Sequence, residues 1–168
     1  MTTYIRLSDE DKVYAVNGFP GMTFNRNASD LRDKTLVNLR TDDITRITFA
    51  YPADSSFVLI RDKNAWKINN IELVDSTKTA EFLNSIANLS SYDLIDDNLQ
   101  PGNEVFSVNI EGKNFRPIKL QAFEADTTVK YIVTSTYNSD TRFNGKKGDL
   151  VNRVFVGKNK FLKQKLVK

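Results

Sequence analysis

The spacing of apolar residues along this chain switches between two periods, and that switch limits the folds open to it. From Asp43 to Pro52, "DITRITFAYP" alternates Ile44, Arg46 and Thr48 against Thr45, Ile47 and Phe49, the period of a half-buried strand. "SFVLIRD" and "AWKINN" follow, set apart by the polar turns "ADS" and "DKN". Three such runs predict a meander of the kind antiparallel sheets favour. In "DSTKTAEFLNSIANLSS" the spacing becomes helical. Ala80, Leu83, Ile86, Ala87 and Leu89 recur on one face, Phe82 flanks them, and Asp75 or Ser76 supplies the cap. A helix over 76–89 with a one-sided apolar stripe belongs across a sheet.

The same reasoning covers the rest of the chain. "TYIRL" and "KVYAVNG", joined by the acidic loop "SDEDK", predict a hairpin, and Pro20–Gly21 marks a turn. A short helix capped by Ser29 or Asp30 then feeds the strand "TLVNLR". Strands resume at "EVFSVNIEG", "NFRPIKLQAFEAD" and "TVKYIVTSTYN", with Pro117 predicting an edge position or a bulge. "GDLVNRVFVG" places Leu150, Val151, Val154 and Phe155 at helical spacing, with Asp149 as cap and Gly157 as stop. Strands, helix, strands, helix, with hairpin-length connections, predict an α+β fold. Its antiparallel sheet carries one main helix and a short C-terminal helix. The 168 residues make one domain's worth; a division into two strand-rich lobes, 1–95 and 96–168, is the alternative.

Composition then narrows the chemistry. Cysteine and histidine are both absent. Without them, thiolate catalysis, disulfides, the usual serine–histidine arrangements and most transition-metal sites drop out. We expect neither a cofactor nor a metal. No segment nears the roughly 20 apolar residues a membrane helix needs, and the opening "MTTYIRL" reads as a strand, not as a signal peptide. The net charge of +3 is unevenly spread. From Lys146 onward, eight bases against one acid give +7, leaving −4 on residues 1–145. Such a basic C-terminal stretch usually aids solubility, and weak contact with an anionic surface is the functional alternative.

Several residues invite a chemical reading. In "DLRDKTL", Asp30 or Asp33 would act as acid or base with Arg32 as an anion clamp. A structural joint is the simpler account: Leu31 and Leu36 point inward, and Arg32 lays its stem on the core while its fork pairs with carbonyls or a carboxylate. Trp66 and Tyr137 offer stacking faces, although a large ring more often anchors a core. "DLIDDN" lacks the ligand spacing of a calcium loop. Tyr131, Tyr137 and Phe143, near Arg142, Lys146 and Lys147, come without any nucleic-acid motif, so no nucleic-acid partner is expected. "FNGKKGD" lacks the Lys-Ser/Thr pair of a phosphate loop and reads as a turn.

Taken together, "TYIRL", "VYAV", "LRDKTL", "ITRI", "AWKI" and "AEFLNSIANL" resemble the bacterial domain-of-unknown-function 4340 family. The later "YIVTSTYNSDTRFNGKKGDLVNRVFVGKNKFL" is similar to the closing segment of its Bacteroidetes-type members. The resemblance implies an extracytoplasmic domain tethered to the inner membrane by a preceding helix. It also implies an association with ABC-type transporters linked to gliding motility or export. The sequence would then be the C-terminal portion of a longer protein, with Met1 not its natural start. No catalytic residue is implied. The expectation is a non-enzymatic accessory domain that binds protein partners in a membrane assembly. The alternative is a periplasmic glycan-binding module using Trp66 or Tyr137.

Overall fold

A computed structural model describes residues 1–95, 99–146 and 149–163, with only the backbone of Thr23, Phe24 and Ala28. The chain divides into two compact units, Met1–Arg32 and Asp33–Lys168, so the stretch "DLRDKTL" straddles the division.

In the first unit, β1 (Thr2–Ile5) pairs antiparallel with β2 (Tyr14–Asn17), the expected hairpin with shorter strands. Where a turn was expected, α1 (Pro20–Phe24) forms with proline in its first turn, a position where a missing N–H costs nothing. In α2 (Ala28–Leu31) the cap is Asn27, not Ser29 or Asp30. The Asp30 carboxylate reaches back to accept the Asn27 N–H at 2.9 Å, one half of a capping box. Leu31 is 72% exposed, contrary to the inward orientation expected of it; a one-turn helix has too little face to bury it.

The second unit is built on an eight-stranded sheet. In chain order its secondary structure begins with β3 (Thr35–Asn38), a 3-10 turn (Thr41–Asp43), β4 (Ile44–Ala50), β5 (Phe57–Asp62), β6 (Ala65–Ile68) and β7 (Glu72–Leu73). Next come α3 (Ser76–Ala87), β8 (Asn88–Ser90), β9 (Glu104–Gly112), β10 (Ile118–Glu124), β11 (Tyr131–Ser135) and β12 (Asn138–Asn144). It closes with α4 (Leu150–Val154) and a 3-10 turn (Lys158–Phe161). The strand order is β12-β11-β10-β9-β4-β5-β6-β7, with β3 and β8 forming a separate pair. Every pairing is antiparallel. The fold is α+β, as the period switch predicted.

Three local differences from expectation have physical causes. A register shift between Ile44 and Arg46 breaks the strict alternation of β4. The bulge brings Ile44 into the core with Ile47 and Phe49, while Arg46 stays outside with Glu111. The main helix stops at Ala87, and Leu89 is buried from β8, opposite Val37, not from the helix. On α3 itself Thr79, Phe82, Leu83, Ile86 and Ala87 are buried and Ala80 is exposed. Asp75 is the cap, accepting from the N–H groups of Thr77 and Lys78. Pro117 lies just before β10, an interior strand, and so is neither an edge residue nor a bulge.

The C-terminal stretch is fastened to this core. Phe161 is fully buried, its ring 6.0, 5.9 and 5.1 Å from those of Phe49, Phe57 and Phe82. The Asp75 N–H donates to its carbonyl at 2.8 Å, and Tyr51 Oη donates to the Val156 carbonyl at 3.0 Å. Burial pushes the Tyr51 phenol above its ordinary value, which keeps it neutral and donating. Asp149 begins α4 in a left-handed conformation (φ 55°), and its carboxylate takes the Asn152 amide in place of a backbone cap. The helix ends at Val154 with Phe155 as its C-cap, before Gly157, whose φ of −76° is ordinary.

Candidate functional site

Two of the three candidate side chains line hollows in the second unit. Trp66 on β6 is half-buried and packs against the core. It walls a hollow of about 340 Å³ with Leu73, Ala80 and Leu83, beside Lys163. Tyr137, in the β11–β12 turn, is 44% exposed. It borders a hollow of about 300 Å³ with Leu39, Phe115, Arg116, Pro117 and Asn38. Arg32 is half-buried at the C-terminal boundary of α2, in the first unit.

The Tyr137 hollow is held open by three pinned turns. On one side, the β9–β10 turn is tied to the 3-10 turn at Asp43. The Lys113 N–H donates to the Asp43 carbonyl at 2.8 Å, and Asn114 Nδ2 donates to Asp43 Oδ1 at 2.9 Å. Asn114 takes a left-handed φ of 64°, which asparagine tolerates better than most residues. Gly112 makes this approach possible, since a Cβ there would meet the Asp43 carbonyl oxygen at 2.0 Å. Pro117 biases Arg116 before it toward an extended backbone.

On the other side, the Tyr137 N–H donates to Ser135 Oγ at 3.1 Å, and that hydroxyl donates to the Leu36 carbonyl at 2.6 Å. Lys119 and Thr136 exchange two bonds: the Lys119 N–H to Thr136 Oγ1, and the Thr136 N–H to the Lys119 carbonyl. Asn138 Nδ2 reaches the carbonyls of Asp33 and Thr35. Side chain-to-backbone bonds of this kind fix a turn without any ladder. The rings of Phe115 and Tyr137 are therefore presented from a stiff frame.

The acids in "DLRDKTL" serve the backbone. Asp33 Oδ1 accepts the Thr35 N–H at 2.9 Å, and this bond, with the Thr35 hydroxyl, holds its carboxyl below the ordinary value. The Lys34 ammonium sits 5.2 Å from the centre of the Tyr92 ring.

The other tempting clusters are dispersed. Of "DLIDDN", Asp96, Asp97 and Asn98 lie outside the described residues, and Asp93 is half-buried. Phe143 is fully buried and Tyr131 packs on Phe106, and neither lines the Tyr137 hollow. Of the eight bases from Lys146 onward, Lys147, Lys165 and Lys168 lie outside the described residues, and Lys158 pairs with Glu72 at 3.2 Å. Two carboxylates share one hollow, Glu81 and Asp149, about 370 Å³ in volume beside Arg153 and Lys160; both are exposed. Among the described residues, no three acids gather in a way that could hold a metal. None of the described helices is long and apolar enough to cross a membrane.

Sequence reasoning singled out Tyr137 but missed Phe115 and Arg116. Their one signal was the "FRP" tripeptide interrupting two alternating runs.

The model of a family described as "Domain of unknown function (DUF4340)" matches residues 1–104. The chain belongs to the DUF4340 family. The match runs from β1 to the first residue of β9. Asn38 and Leu39 of the Tyr137 hollow fall inside it, while Phe115, Arg116, Pro117 and Tyr137 fall beyond it. No curated protein and no solved structure matches the chain.

Proposed function

We propose that this DUF4340 chain is a non-enzymatic interaction domain that holds a protein partner against the Tyr137 hollow. One observation carries the reading: an exposed ring stands beside Phe115 and Leu39 on turns fixed by hydrogen bonds. Preorganised aromatic and arginine side chains supply most of the binding energy at protein interfaces, because little freedom is lost when they are covered. An enzyme reading gains no comparable support. Glu81 and Asp149 both face water, whereas a carboxylic acid that must hold its proton near neutral pH needs an apolar enclosure.

The setting in this reading is extracytoplasmic, tethered to the inner membrane in the full-length protein, within an ABC-transporter or gliding-motility assembly. Its support is the resemblance of the sequence to the membrane-anchored members of the family. Affinity capture from native membranes tests it. Recovery of transporter or motility components is the expected result. Recovery of none, together with specific binding of a soluble metabolite, contradicts it.

Tyr137 also favours a second reading, a glycan-binding module, because an exposed ring bordering a hollow is how a sugar face is stacked. A thermal shift on adding cell-wall sugars, lost in Tyr137→Ala, is the result expected of that alternative.

A further inference from the structure

The composition of the Tyr137 hollow specifies more than a generic contact. Among the described residues lining it, Arg116 is the one charged side chain; the rest are Leu39, Phe115, Pro117, Ile118 and Tyr137 with the neutral Asn38 and Thr136. Arg116 is exposed and makes no ion pair with any described residue. On the adjoining strands Arg46 pairs with Glu111 and Lys119 with Glu104, whereas Lys113 and Arg116 of the β9–β10 turn have no ion pair with any described residue. An apolar hollow with a lone guanidinium at its rim complements a guest of matching pattern. That guest has a fatty or aromatic body to displace water from Phe115 and Tyr137, and a carboxylate to take the planar fork.

We infer that the hollow binds a segment of the partner protein in which a glutamate or aspartate adjoins a large apolar residue. This rests on the interaction reading above and names the chemistry of the partner. The volume, about 300 Å³, sits at the lower end of the range for ligand pockets, enough for about two side chains. The apolar neighbour fills the floor between Leu39 and Tyr137, while its acid meets Arg116 at the rim. A neutral sugar would stack on Tyr137 and leave the guanidinium without a counter-charge.

The test uses the full chain, labelled with ¹⁵N, and three probes at millimolar concentration. They are the blocked dipeptide acetyl-Leu-Glu-amide, its isostere acetyl-Leu-Gln-amide, and N,N′-diacetylchitobiose. The expected result is saturable shifts at the amides of Phe115, Thr136 and Tyr137 with the acidic dipeptide. Affinity for the glutamine isostere, and affinity of Arg116→Gln for the acidic one, should each fall about tenfold, the scale of one charge-assisted hydrogen bond. Arg116 is exposed, so the variant is expected to keep the wild-type spectrum elsewhere.

Equal binding of the two dipeptides, indifference to Arg116→Gln, shifts elsewhere, a preference for the sugar, or no binding overturns the inference. Failure here with transporter components still captured from membranes sinks only the acidic-segment assignment. Loss of capture itself sinks the interaction reading.

Discussion

The Ser135 hydroxyl donates to the Leu36 carbonyl across 2.6 Å inside the protein, and the same oxygen accepts the Tyr137 N–H at 3.1 Å. One buried side chain thus ties the β3–β8 pair to the main sheet and sets the position of the exposed ring. Ser135→Ala leaves both backbone groups short of a partner, at a cost of about 1–3 kcal/mol. Urea denaturation is expected to show that loss, and binding at the Tyr137 hollow is expected to weaken with it.

Glycine positions make a sharper contrast. At Gly112 a Cβ would lie 2.0 Å from the Asp43 carbonyl oxygen and 2.8 Å from the Phe115 ring, so Gly112→Ala must displace the β9–β10 turn. A loss of at least about 1–3 kcal/mol is expected, as for overpacked cores. Gly157 has open space around its Cβ position and an ordinary φ. Gly157→Ala should change stability by less than about 0.5 kcal/mol. Thermal melts of the two variants side by side decide the matter.

Phe161 closes the aromatic cluster of Phe49, Phe57 and Phe82. Removing a fully buried phenylalanine costs about 3–5 kcal/mol through lost transfer energy and the cavity left behind. Phe161→Ala is therefore expected to lower the unfolding midpoint sharply and to make the segment after α4 sensitive to protease at temperatures where the wild type resists. Resistance unchanged from wild type would mean that this segment is held by something else.

Acid should weaken the fold through two carboxylates. Asp33 lies below its ordinary 3.8 because Thr35 donates to it. For Glu104, burial on its own raises the value, but hydrogen bonds from Gln121 and Ser107 and the charge of Lys119 outweigh it, holding the carboxyl below 4.5. A lowered folded-state value means the stabilisation is present above the unfolded value and is lost as pH falls through the folded one. Urea midpoints are expected to hold near pH 6 and to drop below about pH 4. The double variant Asp33→Asn, Glu104→Gln should flatten that drop. Both groups are largely exposed, which keeps the effect small.

Much of this architecture is legible in the sequence. The β4–β6 meander and the main helix declared themselves because each buries one face at a regular period. β12 did not: "NSDTRFN" buries only Thr141 and Phe143, and its polar positions hide a strand held by its neighbour β11. Leu89 fitted the helical stripe by spacing and ended on a strand, because pairing with Val37 outweighed one more turn of helix. For the site, Tyr137 was evident as a ring in a polar run. Phe115 and Arg116 were not, since only the packing of β10 beside β11 brings the two turns together. Local patterning carries no information about that meeting.

The claim at the centre is that an exposed ring on a stiff turn is where the partner docks. The most direct measurement is quantitative capture from native membranes with wild type, Tyr137→Ala and Tyr92→Ala, the last removing a ring that is more exposed but lies outside the hollow. The account predicts that transporter or motility components are recovered by wild type and Tyr92→Ala and lost with Tyr137→Ala, all three proteins melting alike. Undiminished recovery with Tyr137→Ala would contradict it.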